Sequence, residues 1–370
     1  MTEQLAQVPS HRSLTALSRL LLAQDSDISS LPGSSELMSE LLQLSREEFD
    51  ELVDLAQLNH VVVRGLDTFL QMMLTAGDDR RAEWAQVALD AERNRIGTAV
   101  AFLQEICNVC EADGQNIAVI KSLDHWPDLG SDLDLYTDAT PKVIGSIIGS
   151  HFHAQLAPRS WGDRLACKWN FLIPGLPESV EVHMGRLGQT GEQVAIASSL
   201  MARSRVIQVD GRDFRVTSIS DRLMISTLQR MYRHFYFRLC DIVDSASLVD
   251  AGAVDFADLR ASATNAGIWE GVAAYLVIVS DYVKKYRGIG IDLPQYVRAA
   301  ARFGGEVVYF ARGFIRVPIM PQSAGLYGTQ LAGMFRKFEL HNGARLSLLP
   351  WLATAAVVGQ KITGSDKGIW

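Results

Sequence analysis

Apolar residues recur at helical spacing along most of the chain, and at strand spacing in one central region. Residues 13–23, 35–44, 45–58, 61–76 and 82–112 each present an apolar stripe of period 3.6, which predicts a run of amphipathic helices. In the last of these, Leu89, Ile96, Val100, Leu103 and Cys107 line up on one side. Ser45-Arg-Glu-Glu48 has the spacing of a capping box, with Ser45 as N-cap and Glu48 three residues on. Residues 24–35, rich in Ser and Asp and containing Pro32-Gly33, read as a loop.

The period then changes. Ile117 to Ile120 is an apolar run short enough for a buried strand, and a polar turn with Pro127 and Gly130 follows it. Residues 131–136 alternate polar and apolar, as do 179–183, so both read as strands. Residues 165–173 alternate in part and predict a further strand, with Lys168 and Asn170 on one face. Residues 141–150 predict a crossover helix, and 206–209 with 214–216, around Asp210-Gly211, a hairpin. Beyond this, 220–250 reads as one long helix with Ser220-Asp221 at its start. Residues 255–286 read as two helices broken near Gly267, and 288–294 as a linker. Residues 295–370 read as further helices punctuated by Pro318, Pro321 and Pro350. The expected class is α+β: a small mixed β-sheet (113–219) embedded in a mainly helical protein, with helical regions at 1–112 and 220–370.

The strand spacing carries chemistry. Side chains alternate between the faces of a strand, so Asp132 and Asp134 share one face while Leu133 and Leu135 take the other. In Ser179-Val180-Glu181-Val182-His183, Glu181 and His183 share a face in the same way. Neighbouring strands would gather Asp132, Asp134 and Glu181 at one spot. Carboxylates so close repel, and a divalent cation relieves that repulsion. An all-oxygen site suits Mg²⁺ or Mn²⁺, which commonly also bind substrate phosphates. Arg230, His234 and Arg238 recur every four residues, which on a helix gives one basic face, read either as a phosphate clamp or as an ion-pair stripe with Asp241 and Asp244.

Composition narrows the classes. A net charge of -7 over 370 residues argues against an extended basic nucleic-acid surface. Hydrophobic content of 48% allows a sizeable core and argues against wholesale disorder. The N-terminus lacks the basic and apolar regions of a signal peptide, and no apolar run is long enough to span a bilayer, so a cytoplasmic protein without membrane partners is expected. Cys107-Asn-Val-Cys110 lies within a helical pattern without a second pair, and reads as helix packing rather than a zinc or redox motif. The apolar stretch 346–358 reads chiefly as core, with a membrane-surface or partner helix as the alternative.

Lys121-Ser122 after the first strand, Ser131-Asp132-Leu133-Asp134, Glu181-Val182-His183, and the later pieces Met231-Tyr-Arg-His234 and Arg238-Leu-Cys-Asp241-Ile-Val-Asp244 occur in an order that resembles the DNA polymerase β-like nucleotidyltransferase superfamily. More closely it is similar to stand-alone bacterial nucleotidyltransferases. The resemblance covers roughly residues 55–286 and departs from the family pattern in the turn, where Ser122 stands in place of a glycine. It implies transfer of a nucleoside monophosphate from an NTP to an acceptor hydroxyl, assisted by two Mg²⁺ or Mn²⁺ ions. Asp132 and Asp134 would hold both ions, Glu181 the catalytic one, and Lys121 and Ser122 the triphosphate. Ser131, Lys168, His183, Arg230, His234 and Arg238 are the further nucleotide- or acceptor-binding candidates. A small-molecule acceptor is favoured over RNA or protein. The rival readings are a degenerate scaffold serving as a nucleotide-binding or regulatory protein, and a toxin-like enzyme that modifies RNA or protein.

Overall fold

The computed structural model describes residues 11–22 and 34–363. The expected loop at 24–35 therefore lies almost wholly outside the described residues, as does the chain end at 364–370. The chain is 63% helical and 12% strand, so its one large sheet is a minor element framed by helices.

The N-terminal helices His11–Leu22, Ser34–Leu41, Arg46–Leu58, Val62–Ala76 and Asp79–Ala112 fall where the apolar stripes place them. Arg46–Leu58 begins with the expected capping box, in which Ser45 Oγ accepts from the Glu48 amide and Glu48 accepts from the Ser45 amide. Asp79–Ala112 starts a turn earlier than expected because Asp78 caps it, accepting from the Arg81 amide at 3.0 Å. Leu89, Val100, Leu103 and Ile106 on this helix are fully buried, and each contributes about 1.5–3 kcal/mol by leaving water. Cys107 and Cys110 are free thiols buried on it.

The strands are β1 Ile117–Val119, β2 Asp132–Thr137, β3 Gln155–Leu156, β4 Lys168–Leu172, β5 Ser179–Met184, β6 Arg205–Val209 and β7 Arg212–Val216. They form a mixed sheet ordered β3-β4-β5-β2-β1-β7-β6. β2 and β5 run parallel, with Asp132 opposite Ser179 and Asp134 opposite Glu181. β4 is antiparallel to β5 and sets Lys168 opposite His183. Leu133, Leu135, Val180 and Val182 are fully buried on the apolar face. The helices Asp79–Ala112 and Pro141–Phe152 pack together, and the first also packs against β1 and β7. The polar face of the same strands carries the carboxylates.

Three expectations need correction. Residues 165–167 are not strand. Trp161–Leu165 is a short helix whose start is fixed by a Ser160/Asp163 capping box, and Cys167, at φ 52, turns the chain into β4. Residues 220–250 are not one helix. Helix Ile219–Thr227 is capped by Ser218 rather than Ser220, a wide π-type turn Leu228–Arg233 follows, and Phe235 at φ 57 leads into the short strand β8 Tyr236–Phe237 before helix Leu239–Asp250. β8 pairs with β10 Phe314–Arg316, which pairs with β9 Tyr309–Ala311, so the C-terminal region also holds a small sheet among its helices. Last, helix Leu349–Thr363 departs from the expected core packing of 346–358: Trp351 is 75% and Val358 48% exposed, while Leu346 before it is buried. No described helix is long and apolar enough to cross a membrane.

Candidate functional site

Asp134 and Glu181 lie side by side because they are registered partners on parallel strands with the same facing. His183, two residues on in β5, brings Nε2 within 2.8 Å of Glu181 Oε1 and 3.9 Å of Asp134 Oδ1. Ligand atoms of Asp134, Glu181 and His183 all lie within 4.8 Å of one another, close enough for one cation. Asp132 is outside this group. It is exposed at the start of β2, and its carboxylate accepts from Ser179 Oγ at 2.7 Å and from Ser131 Oγ at 3.4 Å.

The cluster is neutralised by lysine. Lys121 Nζ is paired with Asp134 and stands 3.4 Å from Glu181 Oε1. Lys168 Nζ bridges Glu181 Oε2 at 2.8 Å and Asp163 Oδ1 at 2.9 Å. Lys168 therefore supports Glu181 from behind and does not line the pocket in front of it. Burial pushes the Asp134 carboxyl up, against Lys121 and reinforced by Glu181, to about 8. Glu181 is also penalised by burial, but Lys121, His183 and Lys168 outweigh that and hold it well below the usual carboxylate range. Burial lowers His183 to about 4, so it is neutral at pH 7, and the network assigns its Nε2 proton to Glu181.

The turn after β1 is built differently from the expectation. Lys121, not Ser122, carries the left-handed backbone (φ 62, ψ -54), and the Ser122 amide donates back to Ile120 O at 2.6 Å. This is a γ-turn of the rare positive-φ kind. Ser122 is buried. Its Oγ accepts from the Asp134 amide at 2.7 Å and donates to Asp132 O at 3.2 Å. Its amide thus closes the turn and its hydroxyl staples the turn to β2, while Ser122 itself lines the pocket in front of the sheet. Arg95, from the long helix, pairs with Glu178 and donates to the carbonyls of Leu129 at 3.0 Å and Gly130 at 3.3 Å. One side chain so fixes both the loop before β2 and the start of β5.

The carboxylates form one wall of a polar pocket of about 200 Å³. Arg230, Arg233, His234, Tyr236 and Arg238 line it too, because the π-type turn and β8 wrap over the sheet. Their shared location matches the expected basic patch, but its origin does not: these residues lie on a turn and a strand, not on one helical face. Arg230 is buried and paired with Asp241 at 2.7 Å, so it braces helix Leu239–Asp250. Arg233 and Arg238 have no ion-pair partner among the described residues, and Arg238 Nε is buried without a hydrogen bond. Burial, then the neighbouring Arg233, keeps His234 neutral. Arg233 lies within the motif segment 231–234 but, like Tyr236, has no periodic signal of its own that would mark it as a pocket residue. A smaller, largely apolar cavity of about 60 Å³ adjoins the pocket, sharing Lys121, Gln229 and Arg233 with it and lined further by His183, Leu187 and Tyr232.

Two histidines missed by the sequence reading also line the pocket: His60, at the end of helix Arg46–Leu58, and His125, in the short helix Ser122–His125. Behind them lies a buried ion network. Arg64 holds Asp128 and Asp244 at 2.7 Å each, and His125 Nδ1 meets Asp244 Oδ2 at 2.5 Å. Although burial opposes it, the charges of Arg64, His125 and Arg222 keep Asp244 ionised, well below the usual range. No family model matches the chain, and no curated protein matches it.

Proposed function

We propose that this protein transfers a nucleoside monophosphate from an NTP to a small acceptor, with a divalent cation held at Asp134 and Glu181. The observation that carries this reading is the meeting of opposite charges in one pocket: carboxylates on β2 and β5 line it together with Arg233 and Arg238, whose guanidinium groups have no ion-pair partner among the described residues. A metal–polyphosphate complex needs both, cation ligands on one side and phosphate donors on the other. The donors fit a hard divalent cation, with Asp132 on the same strand face toward solvent. When bound, the cation supplies positive charge at the transferring phosphoryl group. Arg233 and Arg238 orient the phosphates. His183, neutral and fixed on Glu181, holds that carboxylate in place. The adjoining apolar cavity, lined in part by Lys121, supports an acceptor with a hydrophobic portion. The order of motifs in the sequence, similar to that of polymerase β-like transferases, supports the same reading.

A second reading, a nucleotide-binding module without turnover, is favoured by two observations. Lys121 already neutralises the carboxylate pair, and the Ser122 amide is engaged within the turn. Incubation with Mg²⁺, each α-labelled NTP and a cell extract separates the two. Label is expected to move to a small molecule, and Asp134→Asn or Glu181→Gln to cut transfer by at least about 10³-fold, the scale of losing a cation clamp worth several kcal/mol. A thermal shift with NTP–Mg²⁺ but no transfer selects the binding module. Neither shift nor transfer at millimolar NTP overturns both.

A further inference from the structure

His60 and His125, which line the pocket, and the buried Cys240 come together from three separate segments of chain. Ligand atoms of the three lie within 4.8 Å of one another. The Cys240 sulfur is 3.8 Å from His125 Nε2. The other nitrogen of His125, Nδ1, is held by Asp244 at 2.5 Å, which leaves Nε2 to face the sulfur. A histidine backed by a carboxylate in this way is the usual arrangement at a zinc site, because it fixes the tautomer and aims the free nitrogen at the metal. His60 Nδ1 is buried with no hydrogen-bond partner, so no protein group claims that nitrogen. The loop in front is trimmed to admit the ring: a Cβ on Gly130 would stand 3.0 Å from His60 Cε1 and 3.2 Å from Nδ1.

We propose that His60, His125 and Cys240 form a binding site for a thiophilic divalent cation, Zn²⁺, distinct from the hard-cation site at Asp134 and Glu181. Two imidazoles and a thiolate suit zinc, whereas an oxygen-seeking Mg²⁺ belongs with the carboxylates. Binding releases two protons to solvent, that of the Cys240 thiol and that on Nε2 of charged His125, and forms a zinc–sulfur and a zinc–nitrogen bond in their place. Cys240 is fully buried, while His60 and His125 line the pocket together with Arg230 and Arg238, so a fourth ligand would come from that pocket. A water or a phosphate oxygen is the ligand that position would take. The site thus puts a second positive centre on the same anion pocket, independently of whether nucleotides are its occupants.

The test uses the full-length protein, treated with chelator and titrated with Co²⁺, whose spectrum reports both thiolate ligation and tetrahedral geometry. Saturation at a single equivalent, with a sulfur-to-cobalt band in the near ultraviolet and displacement by Zn²⁺, is expected. Cys240→Ser should abolish the near-ultraviolet band, His60→Gln should weaken binding, and Asp134→Asn should leave the spectrum unchanged. Asp244→Asn, acting through His125, should weaken binding by about 10–100-fold. If Cys240→Ser does not fold, X-ray absorption on the zinc-loaded wild type decides, with a sulfur scatterer at about 2.3 Å beside nitrogen at about 2.0 Å expected. A spectrum without a thiolate band, a shell of nitrogen and oxygen alone, or binding lost in Asp134→Asn but kept in Cys240→Ser overturns the site.

Discussion

Lys121 sits between Asp134 and Glu181 on a backbone conformation that costs about 1–3 kcal/mol for a side-chain-bearing residue. The strain persists because the γ-turn aims the ammonium at both carboxylates, and at Asp134 it is the only ammonium within ion-pair distance among the described residues. Its charge stands where a divalent cation would act, so the lysine and the metal compete for the same partners. Lys121→Met should therefore lower metal-free stability by about 3 kcal/mol, the scale of breaking a buried ion pair. It should also raise Mg²⁺ affinity, because the competing cation is gone. Urea unfolding with and without Mg²⁺ measures both, and an unchanged cation affinity would show that Lys121 does not occupy the cation's place. The same side chain is legible in sequence only as a positive charge after a strand. Its left-handed backbone, and the fact that it rather than Ser122 takes the glycine-like conformation, come from the turn's closure onto β2.

At the scale of elements, the site depends on holding β2, β5 and the turn in register. Ser122 does this by hydrogen-bonding the backbone of β2 at two places, 2.7 and 3.2 Å. In the sequence Ser122 stands where the similar family has glycine, and restoring the glycine would be expected to help the turn approach phosphate. The structure adds a cost to that change: Ser122→Gly leaves the buried Asp134 amide without its acceptor, a loss of about 1–3 kcal/mol. Thermal unfolding of Ser122→Gly against Ser122→Thr, which keeps the hydroxyl, checks this. Equal melting temperatures would remove Ser122 from the role of staple. Elements with strong local signals were legible: the helical stripes of the N-terminal half, and the alternation of Asp132 to Leu135 and Val180 to His183. The break at residues 228–238 was not, because β8 exists only through pairing Phe237 with Ile315 and Tyr236 with Arg316. A partner that distant in sequence leaves no periodic trace near the break.

For the molecule as a whole, the buried carboxylate pair makes both stability and cation binding depend on pH. Asp134 is raised from an ordinary 3.8 to about 8, so between these values the folded protein holds a proton that the unfolded chain has lost. Metal-free stability should fall as pH rises from 5 to 8, with a slope of at most about 1.4 kcal/mol per pH unit. Glu181 works in the opposite sense. Its carboxyl is depressed below 4.5, so its contribution is complete above that pH and is lost only as pH falls further, outside this window. Divalent cations need Asp134 ionised, so their affinity should rise with pH up to about 8 and then level off. Calorimetric titration of Mg²⁺ across this range is the measurement. Affinity independent of pH would mean that Asp134 is not a ligand.

The amino-acid sequence alone determined the mixed α/β character, the helical frame, and the placing of Asp134, Glu181 and His183 on strand faces. Each of these follows from a local period, 3.6 or 2, set by backbone geometry and readable in any window. Only the tertiary structure decided that Asp134 faces Glu181 in exact register, that Asp132 stands apart on Ser179, and that Lys121 fills the space between the carboxylates. It alone brought His60, His125 and Cys240 to one point and set Arg233 and Arg238 in the same pocket as the acids. These juxtapositions depend on strand order, on a turn's handedness and on burial shared by distant segments. Such properties arise when the chain closes on itself, and no stretch of sequence carries them in its own period.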